Sequence, residues 1–109
     1  MVSVRLKSSL SPDRQRLIEW MQSIHFGRIE NLAVRGGDPV FDPKPRVVRE
    51  IKLGGENGPR PEAAIPDFPL KAQVVELLGE LDRLGHGVIE CLEIKHGLPF
   101  RVFLAEAAA

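Results

Sequence analysis

Residues 17–41 read LIEWMQSIHFGRIENLAVRGGDPVF, and residues 77–101 read LLGELDRLGHGVIECLEIKHGLPFR. Seven positions coincide without a gap at an offset of sixty: Leu17/Leu77, Gly27/Gly87, Ile29/Ile89, Glu30/Glu90, Leu32/Leu92, Gly37/Gly97 and Pro39/Pro99. Ordinary composition gives about one or two matches in such a window. Ile18/Leu78, Met21/Leu81, Ile24/Leu84, Val34/Ile94 and Arg35/Lys95 add conservative pairs. The shared pattern is a helix face followed by G-x-I-E-x-L-x-[VI]-[RK]-x-G-x-P. It predicts two copies of one helix-and-hairpin unit.

Outward from that pattern, each unit reads as αββ. Ser11-Pro12-Asp13 is a helix start, with Ser11 as cap and Pro12 at the first helical position. Leu17, Ile18, Met21 and Ile24 form one face of a 3.6-residue period, and Gly27 stands where a C-terminal cap is expected. In the second unit Pro69 stands at the expected start, and Val74, Leu77, Leu78, Leu81 and Leu84 form the face. Gly79 is a weak point inside that helix. The strands after the helices carry apolar residues at Ile29, Leu32, Val34 and at Ile89, Leu92, Ile94. Their spacing of three and then two predicts a bulge near Glu30-Asn31 and Glu90-Cys91. Gly36-Gly37 and His96-Gly97 mark turns, and Val40-Phe41 and Phe100 to Leu104 return. Asp42-Pro43-Lys44-Pro45 interrupts the first return, after which Arg46 to Leu53 reads as another strand. Val2, Val4 and Leu6 alternate as an N-terminal strand.

Residues 54–69, GGENGPRPEAAIPDFP, read as a linker. The expected fold is therefore α+β. One domain over 1–109 holds unit one (1–53), the linker (54–69) and unit two (70–104). The units form an antiparallel sheet with both helices on one face, related by a pseudo-two-fold axis. One αββ unit alone buries too little to be stable, and two sharing a core repair that.

With 109 residues the chain is long enough for a core without disulfides or metal. Fifteen basic and fifteen acidic side chains balance, so no global field draws it onto a polyanion. The single Cys91 excludes an internal disulfide framework and a multi-cysteine zinc site. With no signal-peptide pattern and no long apolar run, a cytoplasmic location is expected.

Candidate chemistry is sparse. Glu30 and Glu90 are the only charged identities between the units, and a carboxylate pair can serve acid–base or metal chemistry. Their simpler reading is as bulge residues or partners for Arg28, Arg35 or Lys95. His25, His86 and His96 have no ligand spacing, and neither Gly36-Gly37-Asp38 nor Gly54-Gly55-Glu56 is a phosphate loop. The expectation is a non-enzymatic protein with no catalytic residues, metal, cofactor, small-molecule substrate or membrane partner.

Charge is unevenly spread. Residues 1–60 carry eleven basic and seven acidic side chains, and residues 61–109 four and eight. Lys44, Arg46, Arg49 and Lys52 cluster against Glu50 alone, with Arg28 and Arg35 on the preceding strand. On an edge strand such cations guard against aggregation. They are also the candidate contacts for nucleic acid or an acidic partner. Trp20 faces Glu80 across the repeat alignment and is either a core residue or an exposed interface anchor. Six aromatics without tyrosine offer no aromatic pair of the kind that base-stacking sheets use.

The helix, Phe26-Gly27, Ile29 to Val34, Gly37 and the Arg49-Glu50-Ile51-Lys52 run resemble the YezD-like family of small uncharacterised bacterial proteins. Those proteins have a helix, a Phe/Tyr-Gly pair, a strand, a turn glycine and a return strand ending in charged residues. The likeness covers about residues 12–53, with the glycine-to-glycine spacing one residue longer here. It implies the αββ unit and carries no activity. The expected function is a macromolecule-binding module that takes nucleic acid through its basic face. The alternative is a protein-interaction or self-assembling module that uses an edge strand and its oppositely charged halves.

Overall fold

Ser11 precedes Pro12, and its hydroxyl accepts the Arg14 N–H at 3.3 Å. That cap opens α1 (Pro12–Ile24). The computed structural model describes residues 6–54 and 69–105. Within them follow β1 (Gly27–Arg35), β2 (Asp38–Val40), β3 (Arg46–Arg49), α2 (Ala72–Leu84), β4 (Gly87–Lys95) and β5 (Leu98–Leu104). The fold is α+β, with an antiparallel sheet in the order β2-β1-β4-β5 and β3 also paired to β1. Helices α1 and α2 begin sixty positions apart, as do β1 and β4. Among the described residues, no helix is long and apolar enough to cross a membrane.

The central pair is β1 with β4, running from Gly27↔Ile94 to Val34↔Gly87. β2 pairs with Ala33 to Arg35 and β3 with Gly27 to Glu30. Because β4 pairs along both stretches, β2 and β3 must lie on the opposite side of β1. They are two pieces of one outer strand, split by Phe41-Asp42-Pro43-Lys44-Pro45. Two prolines there remove the donors that a continuous ladder needs. β5, the other outer strand, runs unbroken.

Ile29, Leu32, Val34, Ile89, Leu92 and Ile94 are each 3% exposed or less. They join Leu17, Ile18, Met21 and Ile24 of α1 and Val74, Leu77, Leu78 and Leu81 of α2 in one core. Both helices therefore cover the same face of the sheet. Each such side chain contributes about 1.5–3 kcal/mol when fully buried. The three-then-two spacing is met as expected. Asn31 takes a φ of 59°, and the β4–β5 register slips between Ile89 and Cys91.

Four expectations are corrected. The cap of α1 is His25 rather than Gly27. His25 (φ 67°, ψ −59°) and Gly85 (φ 67°, ψ −74°) each centre a tight γ-turn, in which Phe26 N–H reaches the Ile24 carbonyl and His86 N–H the Leu84 carbonyl. Helix α2 starts at Ala72, not at Pro69, which bridges Leu6 in extended backbone. Leu84 is half-buried at the margin of the core. The strand expected over 46–53 ends at Arg49, with one last ladder bond from the Glu50 N–H to the Phe26 carbonyl at 2.8 Å, because the γ-turn at His25 takes the chain before Phe26 away from β3. Ile51 and Leu53 beyond it are exposed. Val2 and Val4, most of the linker and the chain end lie outside the described residues.

Candidate binding face

The helices leave one face of the sheet open, and register sets which side chains share it. Across the sheet runs Arg46 (β3), Glu30 (β1), Cys91 (β4) and Phe103 (β5). Beside it runs Val48, Arg28, Glu93 and Arg101. A third row pairs Val40, Ala33 and Val88.

The first two rows are stitched by charge. Arg28 donates to Glu30 at 2.8 Å, Arg46 approaches the same carboxylate at 3.5 Å, and Arg101 donates to Glu93 at 2.6 Å. The Arg28 hydrogen bond holds the Glu30 carboxyl below its ordinary range, against the opposing effect of burial. Glu30 in turn holds Arg28 more firmly in its cationic form. Desolvation, helped by Glu93 and Glu30, pushes the Cys91 thiol up and away from thiolate chemistry. Glu30 thus meets cations rather than a second carboxylate, and Glu90 is an exposed residue at the slip in β4.

The six expected contact cations do not form one surface. Arg28 and Arg46 share Glu30 on the open face. Arg35 is exposed at the end of β1, Lys44 lies in the β2–β3 connection, and Lys52 lies beyond β3. Arg49 reaches the other way and donates to the Ser23 carbonyl at 3.1 Å. Trp20 is half-buried against Phe41, ring centroids 4.8 Å apart, with the Arg16 guanidinium 4.4 Å from the Phe41 ring.

The shared residues have local structural roles. Gly27 lies so close to β3 that a Cβ would stand 2.1 Å from the Val48 carbonyl oxygen. Gly37 N–H donates to the Gly85 carbonyl and Gly97 N–H to the His25 carbonyl, tying the β1–β2 turn to the end of α2 and the β4–β5 turn to the end of α1. Pro39 and Pro99 are buried beside Val34 and Ile94. A Cβ on Gly87 would crowd Leu84 at 2.9 Å.

Two contributors were missed by the sequence reading. Phe100 is 50% exposed and Phe103 47%. Three residues apart, they fall on opposite faces of a regular strand. The β4–β5 register slips between Glu93 and Ile94, making Phe100 an extra residue beside Arg101. Lys95 Nζ then lies 4.0 Å from the Phe100 ring, and the Arg101 guanidinium 5.2 Å from Phe100 and 5.8 Å from Phe103. A groove of about 380 Å³ adjoins them, lined by Arg28, Val48, Glu50, Glu93, Lys95 and Arg101 among others. A second hollow, of about 440 Å³, lies between α2 and β5 and is lined by Phe100 and Arg101 together with Glu76, Glu80 and Arg83 of the helix. Among the described residues, no cluster of three or more His, Cys, Asp or Glu side chains could hold a metal.

Compared with protein-family models, curated proteins and solved structures, the chain has no significant match in any of the three.

Proposed function

We propose that this chain is a non-enzymatic module that binds nucleic acid through the open face of its sheet. The observation that carries this reading is the company kept by the exposed aromatics. Phe100 and Phe103 flank Arg101, Phe100 also lies against Lys95, and Arg101 and Lys95 line a groove together with Arg28. Cations on this face (Arg28, Arg35, Arg46, Lys95 and Arg101) outnumber the carboxylates Glu30, Glu50, Glu90 and Glu93 by one, although the whole chain is neutral. The site is thereby centred on β4 and β5 rather than on the run from Lys44 to Lys52. We further read the chain as two copies of one αββ unit, a reading supported by the sixty-residue spacing of its elements and the reciprocal turn-to-helix bonds.

The test is size-exclusion chromatography with light scattering on protein mixed with short DNA and RNA at about 50 and 300 mM salt. A complex is expected at low salt and its loss at high salt. The charge-reversed pair Arg28→Glu with Lys95→Glu is expected to abolish it. Protein that elutes alone at both salts overturns the proposal. A second reading rests on the outer edge of β5, which has no partner strand among the described residues. It accepts a strand from a protein partner, and co-elution with protein alone favours it.

A further inference from the structure

We infer that the Phe100–Phe103 corner is a base-stacking site for single-stranded nucleic acid. The inference rests on the nucleic-acid reading of the open face and adds what that face selects.

Aromatic rings half exposed on an open sheet are costly to leave wet, and here a bulge is used to put both beside one guanidinium. A regular strand would have turned Phe100 away from Phe103. The two rings flank the Arg101 guanidinium and are half exposed, so they can take unpaired bases, whose faces a single strand offers and a duplex keeps stacked on one another. The backbone has its own receptor. Lys95 and Arg101 line the groove as well as touching the rings, and Arg28 lies across it. In the free protein these cations rest over the Phe100 ring. A bound strand lets them move to phosphates while bases take their places on the ring faces. In the free protein Glu93 is paired with Arg101, and Arg28, Lys95 and Arg101 outnumber Glu50 and Glu93 along the groove.

The experiment measures anisotropy of a labelled oligothymidine strand and of a DNA duplex of equal length, at about 50 mM salt. Wild-type protein is expected to bind the single strand about tenfold tighter or better. Phe100→Ala and Phe103→Ala are each expected to weaken the single strand by about tenfold and the duplex hardly at all. Phe100→Tyr retains a stacking ring and is expected to bind as wild type, and circular dichroism checks the fold of every variant. Equal affinity for both nucleic acids, or Phe100→Ala and Phe103→Ala variants that bind as tightly as wild type, overturns this inference while leaving the nucleic-acid reading standing. Wild-type protein that binds neither probe overturns both.

Discussion

Gly27 and Gly79 are both glycines inside regular structure, yet their surroundings set opposite expectations for alanine. At Gly79 an added Cβ meets nothing within 4 Å, so no packing requires the glycine. Gly79→Ala is expected to stabilise the protein by about 1 kcal/mol, read as a higher urea midpoint at unchanged slope. At Gly27 the φ is 152° and the Cβ would strike the Val48 carbonyl oxygen. Gly27→Ala is expected to lower stability by about 1–3 kcal/mol, because β3 must lift from β1 or the backbone must strain. The repeat alignment marks Gly27, and the structure supplies the cause, a carbonyl on a neighbouring strand.

At the scale of elements, the turn after β1 is held by a side chain from α1 that no motif singles out. Arg14 is 9% exposed and donates from Nε and Nη2 to the Gly37 carbonyl at 3.2 and 2.8 Å. It also pairs with Asp38 and Asp82, joining α1, β2 and α2. Both carboxylates keep contact with water, so their loss of a partner is cheap. The buried carbonyl has no such recourse. Arg14→Met is expected to cost about 1–3 kcal/mol in urea unfolding. Arg14 stands three and four residues before Leu17 and Ile18, on the apolar stripe itself, so periodicity places it against the core while hiding its reach to a turn 23 residues away. Where the determinants are local, the sequence is legible. Ser11 and Pro12 announce α1, the prolines announce the break between β2 and β3, and the uneven spacing of Ile29, Leu32 and Val34 announces the bulge. It misleads where a partner strand decides the outcome. Nothing within 46–53 says that its partner chain turns away just before Phe26. Nothing within 98–104 says that a slip against β4 brings Phe100 beside Arg101.

For the whole molecule, the shared core has a consequence for cooperativity. Side chains of α1 and β1 interleave with those of α2 and β4, so neither half can open without exposing the other. Trp20, the only tryptophan, reports on the first half alone. Its fluorescence and the far-ultraviolet circular dichroism of both helices are expected to trace one coincident urea transition. Separate midpoints would mean that the halves are energetically independent. The two flanks of the sheet differ in kind, one cut by the Pro43 and Pro45 segment and one continuous along β5. Strand addition therefore has a valence of one. Two copies meeting flank to flank through β5 would use up each other's only long ladder and turn their broken sides outward, which closes the assembly as a pair and stops growth into a fibre.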